Sequence, residues 1–101
     1  MAANSKIFHR KKNSRLELRL KGDFDGTSAC ELLKMLGKKH GHFLTVLIHT
    51  GGLKAICPFG VDTFRNNLHV LKRRRIELVF SGRNAATIAP EGNHFLRISF
   101  I

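Results

Sequence analysis

Residues 48–60 read IHTGGLKAICPFG and join an apolar segment to an amphipathic one. The preceding run, residues 43–48 (FLTVLI), is apolar and rich in β-branched side chains, which predicts a strand buried on both faces of a parallel sheet. We expect Gly51 and Gly52 to form a loop and a helix to begin near Pro58, because proline suits the first helical turn. In α/β domains such loops often serve binding and regulation, since the helix N-terminus presents unpaired N–H groups.

The chain beyond this loop continues with a helix and three shorter elements. Apolar residues at helical spacing predict the core face of the helix, which consists of Val61, Phe64, Leu68 and Leu71. Residues 76–80 have the composition of a strand, and residues 84–89 are predicted to form a short helix that ends near Pro90. Residues 95–101 are predicted to form a last strand.

The N-terminal part of the chain predicts a hairpin. Residues 6–11 have the composition of a short strand, and Asn13-Ser14 that of a turn. In residues 15–21 leucines alternate strictly with charged side chains, which predicts a strand with one buried and one solvated face. The leucines on the buried face are Leu16, Leu18 and Leu20.

The segment after this strand contains glycines and aspartates, and we expect it to end the strand and begin a helix. Ser28 and Glu31 have the spacing of a capping box, and Asp25 and Thr27 are alternative caps. The apolar face of the helix recurs at i, i+3, i+4 and i+7 and consists of Ala29, Leu32, Leu33 and Leu36. Gly37 is the expected C-terminal stop.

These elements have the order β-β-α-β-α-β-α-β. Strands joined through helices require right-handed crossovers, which makes the central strands parallel and places the N-terminal hairpin at one side. The predicted class is therefore α/β, with a mixed, mainly parallel sheet and helices packed on it. The length of 101 residues and the hydrophobic fraction of 43% suit a single domain over residues 1–101, with residues 1–5 frayed.

The charge of the chain is strongly positive, with 18 Lys and Arg against 7 Asp and Glu and a formal net charge of +11. This balance favours an acidic partner such as nucleic acid or an anionic membrane surface, although basic runs are also common on solvated faces. No apolar run approaches the ~20 residues of a membrane span. The two cysteines, Cys30 and Cys57, form no dense framework, which suits a reducing cytoplasm.

Three segments in their order and spacing resemble the STAS domain family of bacterial anti-sigma-factor antagonists. In that family a strand leads through Gly-x-Leu-Asp into a helix, and residues 20–25 (LKGDFD) stand in this position. A second strand is followed by Asp-Leu-Ser-x-Val-x-x-Ile-Asp-Ser-Ser-Gly and a helix. Residues 46–60 lie in the same register, with Gly60 at the last position. The third match is the late strand at residues 76–82 (IELVFSG).

The chain departs from the family where the family is phosphorylated. Phe59 stands in place of the phosphorylated Ser, and Pro58 in place of the Ser before it. Cys57 and His49 stand in place of two aspartates. Because phenylalanine has no hydroxyl to accept a phosphate, the usual Ser phospho-switch is expected to be lost. The chain also ends in a predicted strand, where family members commonly end in a helix.

The resemblance implies a regulatory protein-binding module without enzymatic activity or cofactor, acting in bacterial signalling and transcription regulation in the cytoplasm. Its partner would be a protein such as an anti-sigma factor or a larger signalling assembly. The residues implied in this contact are Asp23, Asp25, Lys54, Cys57, Phe59, Gly60 and Asp62. Phe59 would either anchor a partner or tuck beneath the helix, and capping and turn formation would also explain both aspartates before the first helix.

Two other functions stay open on the sequence alone. A basic nucleic-acid-associated protein would use residues 9–12 and a second basic cluster, although no helix-turn-helix or interleaved aromatic platform is present. The second cluster consists of Lys72, Arg73, Arg74 and Arg75. A thiol-dependent redox protein would use Cys57 at a helix start, where the dipole favours thiolate. The six histidines are scattered without the acidic or thiol neighbours of a metal site.

Overall fold

The described part of the chain forms five strands and three α-helices in the predicted order. The structure, a computed structural model, describes residues 5–13, 15–38, 45–71, 76–90 and 97–101. The strands are β1 (Lys6–Lys12), β2 (Arg15–Phe24), β3 (Thr45–Ile56), β4 (Glu77–Ser81) and β5 (Arg97–Phe100). The helices are α1 (Gly26–Lys38), α2 (Pro58–Asn66) and α3 (Ala85–Ile88), with a short 3₁₀ helix at Leu68–Leu71.

The strands pair in the order β1-β2-β3-β4-β5 within one sheet. β1 runs antiparallel to β2, whereas β2, β3, β4 and β5 run parallel to one another. Each parallel pair is connected through a helix, as parallel pairing requires. The prediction of an α/β fold with a mixed, mainly parallel sheet and an antiparallel N-terminal hairpin is therefore confirmed.

The hairpin turns where the sequence predicts it. Asn13 has a φ of 56°, in the left-handed region that asparagine tolerates better than most residues. Lys12 pairs with Arg15 across the turn, so two residues form the loop. Ser14, the second of them, lies outside the described residues.

One face of the sheet forms the hydrophobic core with the helices. The core side chains of β2, β3 and β4 are the predicted ones, each at most 2% exposed: Leu16, Leu18, Leu20, Val46, Ile48, Leu78 and Phe80. The helical side chains that pack with them are Leu32, Leu36, Phe64 and Leu68, each at most 1% exposed. Phe24 at the end of β2 meets the Phe64 ring of α2 edge to face, with ring centroids 6.2 Å apart. The helices therefore pack on the side of the sheet that the leucine alternation predicts.

The other side of the sheet, which bears Glu17, Leu47 and Val79, has no described helix packed on it, and we call it the open sheet face. Leu47 is only 8% exposed, flanked in register by Glu17 and Val79, but it lies outside the main core cluster. The middle of β3 is therefore buried on both sides as predicted, with Glu17 and Val79 beside Leu47 and no described helix over it. Residues 43–44, the predicted start of this strand, lie outside the described part.

β3 is longer than predicted, and the expected glycine loop does not form. The strand spans Thr45–Ile56, so both glycines lie inside it. It stays paired with β2, which runs on through Gly22 (φ 82°) to Phe24. The pairing register of β2 and β3 shifts between Arg19 and Lys21 and again between Gly22 and Asp23. The two backbones approach closely there, because a Cβ at Gly52 would lie 2.9 Å from the Leu20 carbonyl oxygen. The loop prediction is wrong because pairing with β2 outweighs the local turn preference of glycine.

Several element ends also differ from the predictions. α1 passes through Gly37, the expected stop, and reaches Lys38, the last described residue before a gap. The second predicted helix is divided, because α2 ends at Asn66 and a 3₁₀ helix follows at Leu68–Leu71. The last strand is described only from residue 97. Fraying is predicted for residues 1–5, of which residues 1–4 lie outside the described part.

Candidate functional site

The two longest parallel strands end side by side, and each leads directly into a helix. Phe24 is paired with Ile56 at the ends of β2 and β3. The Cys57 N–H donates a hydrogen bond to the Phe24 carbonyl oxygen at 2.8 Å. α2 starts at Pro58, as predicted, and α1 starts at Gly26, two residues before the predicted cap Ser28. Both helix N-termini therefore lie together at the carboxyl edge of the sheet, where open α/β sheets commonly bind their ligands.

Glycine allows these two helix starts to touch. A Cβ at Gly60 would lie 2.7 Å from the carbonyl carbon and oxygen of Asp25, and a Cβ at Gly26 would lie 2.9 Å from the Phe59 ring. At Gly60 a larger side chain would meet backbone atoms and force the helix starts apart, whereas at Gly26 it would displace the exposed Phe59 ring. We call this region the helix-start surface, and it comprises Asp23, Asp25, Gly26, Lys54, Cys57, Phe59, Gly60 and Asp62.

Asp25, one of the alternative caps that the sequence predicts, caps α1, so the capping box predicted between Ser28 and Glu31 is wrong. The Ser28 N–H donates to Asp25 Oδ1 at 3.0 Å. The Ser28 hydroxyl lies 3.0 Å from the same oxygen and 2.8 Å from the Asp23 carbonyl oxygen. It therefore donates to residues that precede the helix and does not act as an N-cap. The Ser28 N–H lowers the pKa of Asp25, partial burial opposes this effect, and the Ser28 hydroxyl lowers the pKa further. The net pKa of Asp25 lies below its ordinary value.

We expect Asp25 to make the stability of the fold depend on pH in acid. A carboxyl whose pKa is lowered by folding stabilises the folded state above its unfolded pKa, about 3.9 for aspartate. That contribution is lost as the pH falls through the lower folded pKa. Asp25→Asn keeps a capping oxygen and should therefore show a flatter loss of stability below about pH 5.

Urea unfolding of the wild type, Asp25→Asn and Asp25→Ala between about pH 7 and pH 2 measures this effect. At neutral pH we expect Asp25→Ala to lose about 1 kcal/mol of unfolding free energy and Asp25→Asn to lose less. The same acid dependence in the wild type and in Asp25→Asn would contradict the role of this carboxylate.

Phe59 is the second residue of α2, and its side chain is 69% exposed. One edge of the ring lies over Gly26 at the start of α1. The Thr63 hydroxyl donates to the Phe59 carbonyl oxygen at 2.8 Å, which holds the backbone beneath the ring. Of the two alternatives that the sequence left open, the structure places Phe59 outside the core.

The other residues of the helix-start surface add charged side chains and a thiol to it. Lys54 and Asp62 are exposed, and Asp23 is half-buried. Cys57 immediately precedes α2, and its side chain makes no capping hydrogen bond. Both thiols, those of Cys57 and Cys30, are free and exposed. Within the described ranges, no three His, Cys, Asp or Glu side chains are grouped to hold a metal ion.

A polar cluster that the sequence reasoning missed lies on the open sheet face. His49 Nδ1 is hydrogen-bonded to the Ser81 hydroxyl, and His49 Nε2 lies 3.3 Å from Glu17 Oε1. Partial burial raises the pKa of Glu17, but the His49 hydrogen bond and the Arg10 charge lower it more, so the pKa lies below its ordinary value. His49 and Ser81 are register partners on β3 and β4. The cluster could therefore have been predicted only from the correct register of β2, β3 and β4.

The basic cluster of the nucleic-acid hypothesis, Lys72, Arg73, Arg74 and Arg75, lies outside the described residues. The other basic cluster, residues 9–12, lies on β1, where successive side chains point to opposite faces. Arg10 pairs with Glu17 and Lys12 with Arg15. Arg10 and Lys12 therefore lie on the open sheet face, whereas His9 does not.

Comparison with known proteins gives a match in structure but none in sequence. No model of a known protein family matches the chain, and neither does any curated protein sequence. The anti-sigma factor antagonist SpoIIAA in its unphosphorylated form is 12% identical, with a TM-score of 0.65 over 95% of this chain and 87% of that one. An uncharacterized DUF3478-family protein with a SpoIIAA-like fold, from Shewanella loihica PV-4, is 11% identical, with a TM-score of 0.59 over 97% of this chain and 85% of that one.

The chain therefore has the STAS-like, SpoIIAA-like fold that its motifs predict. At 11–12% identity the likeness shows the architecture alone, and a fold by itself does not assign a function. Among the helices that the structure describes, none is long and apolar enough to cross a membrane.

Proposed function

We propose that this protein is a non-enzymatic regulatory module that binds another protein through the helix-start surface. The observation that carries the proposal is Phe59, a large apolar side chain that is 69% exposed where two helix N-termini meet. Exposed aromatic rings act as anchors when they enter a pocket on a partner. The STAS-like fold supports this function, because the matched SpoIIAA is an anti-sigma factor antagonist.

The chemistry of the helix-start surface favours a partner with an apolar pocket and basic residues at its rim. Phe59 supplies the apolar ring of the surface, Asp23 and Asp62 supply two negative charges, and Lys54 supplies one positive charge. Charges at the rim of an interface set orientation and association rate more than affinity. The partner that we propose is an anti-sigma factor, or a component of a larger signalling assembly, in cytoplasmic control of bacterial transcription.

Binding should be constitutive and not controlled by a phosphate at this position. A phosphate near the N-terminus of α2 would meet the positive end of the helix dipole and add roughly two negative charges. Phe59 offers no hydroxyl, and the nearby Thr63 hydroxyl is already bonded to the Phe59 carbonyl oxygen. We therefore propose that the ring itself determines the choice of partner.

Phe59→Ala should weaken binding to the anti-sigma factor at least tenfold, or about 1.4 kcal/mol, because it removes the anchor. Isothermal titration calorimetry with purified anti-sigma factors encoded next to the gene measures this change. Phe8→Ala is the matched control, because Phe8 is 49% exposed but lies on β1, away from the helix starts. The proposal fails if no such protein binds, or if both variants lose affinity equally.

A further inference from the structure

The open sheet face is crowded with cationic side chains. Those of β1 and β2 that share the face in strand register are all exposed: Lys6, Arg10, Lys12, Arg15, Arg19 and Lys21. Arg97 of β5 joins them from the other edge of the sheet, where it pairs with Glu77. Seven of the 18 basic residues of the chain therefore lie on one side of the sheet, the side that no described helix covers.

The carboxylates near this face offset only part of its positive charge. Glu17 lies 3.6 Å from Arg10 Nη2 and 3.3 Å from His49 Nε2. Glu77 accepts a hydrogen bond from the Ser99 hydroxyl at 2.8 Å. Asp23, at the end of β2, lines a depression together with Lys21 and Lys54.

Most of the cations on the face keep their charge available to a partner. Across the described ranges, Arg10 is the only one of them that forms an ion pair. Those without one are Lys6, Lys12, Arg15, Arg19, Lys21 and Arg97. Solvent-exposed cations in such an array attract polyanions strongly, because their potentials add.

An aromatic ring lies among these cations. Phe8 is 49% exposed and pairs in register with Arg19, and Lys21 Nζ lies 5.4 Å from the ring centroid. Next to Phe8 and Lys21 lies an open depression of about 370 Å³, which is lined by Arg19, Lys21, His49 and Ser81 among others. The face thus combines an exposed aromatic ring, exposed cations and an open depression beside them.

We propose that the open sheet face binds single-stranded nucleic acid. Alternate residues along a strand are about 6.6 Å apart and neighbouring strands about 4.8 Å apart, so the cations form a regular array that suits a repeating phosphate backbone. Bases are free to stack on an aromatic ring only where they are unpaired. A duplex keeps its bases inside, and Phe8 is too isolated to give a membrane a broad apolar contact.

Fluorescence anisotropy with a labelled oligouridine of about 12 nucleotides tests the proposal. If four or five phosphates are contacted, the logarithm of affinity should fall with the logarithm of salt concentration with a slope of about −3. Arg15→Glu/Arg19→Glu should weaken binding at least tenfold. Phe8→Ala should weaken it several-fold, and Phe8→Trp should retain it, because tryptophan also stacks on bases.

Lys11→Glu/Lys34→Glu is the matched control for charge. It changes the net charge equally, but Lys34 lies on α1 and Lys11 points to the other side of β1. This variant should retain affinity within about twofold, since Lys11 and Lys34 lie away from the array that contacts phosphates. Circular dichroism and thermal unfolding should show that all the variants are folded.

Three results would overturn the proposal. The control variant could lose as much affinity as the Arg15 and Arg19 variant, which would mean that only net charge matters. A duplex of the same length could bind as tightly as the single strand, with no loss in Phe8→Ala. Phosphatidylserine vesicles could bind through Arg15 and Arg19 while the oligonucleotide does not bind, which would assign the face to membranes. Phe59→Ala should bind the oligonucleotide normally, so this proposal and the protein-binding proposal can fail separately.

Discussion

Replacing Leu36 with alanine should lower the free energy of unfolding by about 2–5 kcal/mol. Leu36 lies in α1, is 0% exposed and belongs to the cluster that joins the helices to the sheet. Removal of its branched end leaves a cavity that strands held by their own hydrogen bonds fill poorly, so lost contacts add to lost burial. Domains have only about 5–15 kcal/mol of stability in all, so the variant should unfold at a much lower urea concentration.

Urea unfolding followed by circular dichroism measures the effect of Leu36→Ala. Lys34→Ala is the matched control, because Lys34 is in the same helix and exposed. We expect its stability to stay within about 0.5 kcal/mol of the wild type. If Leu36→Ala also stayed within that range, α1 would have to pack on the sheet through another face.

The core of this fold could be predicted because its signals are local. Leu16, Leu18 and Leu20 alternate with charged residues, and any extended chain with that pattern places the three on one face. The helical spacing of Leu32 and Leu36 is equally independent of the rest of the molecule. Such patterns involve residues only a few positions apart in the chain. The order of the elements and the buried face of each could therefore be predicted from the sequence.

The helix-start surface could be predicted only in part, because contacts between distant residues determine it. Its members were implied by a family resemblance, yet the extension of β3 through Gly52 depends on pairing with β2. Ser28 has the correct spacing for a cap, but it is drawn back to the Asp23 carbonyl oxygen and leaves Asp25 to cap α1. Neither the extension of β3 nor the hydrogen bond of Ser28 to Asp23 can be predicted from the local propensities of the residues involved.

The sequence composition predicts the positive charge of the protein, but only the strand register shows where the charged side chains lie. A net charge of +11 favours an acidic partner but does not locate the surface that would bind it. Only the pairing of β1 with β2 places Phe8 beside Arg19 and Lys21 on one face. Residues 9–12 look like one basic cluster in the sequence, but the strand divides them between two faces.

Replacing Gly60 with alanine should destabilise the fold by about 3 kcal/mol, at the upper end of typical overpacking costs. Helix propensity alone predicts the opposite sign, since alanine is favoured over glycine by about 1 kcal/mol inside a helix. The added Cβ would lie 2.7 Å from backbone atoms of Asp25, which have no flexible end that could move aside. The start of α2 would have to move away from α1, and the region that presents Phe59 would change shape.

Gly37→Ala separates this steric effect from helix propensity. Gly37 also lies in a helix, but, apart from its chain neighbours and the backbone of its own helix, a Cβ there would meet no atom of the described residues within 4 Å. We therefore expect Gly37→Ala to gain up to about 1 kcal/mol in urea unfolding while Gly60→Ala loses stability. In calorimetry Gly60→Ala should also weaken binding of the protein partner, whereas Gly37→Ala should not. A gain of stability in both variants would mean that the two helix starts do not touch, and the shared surface around Phe59 would then lose its structural basis.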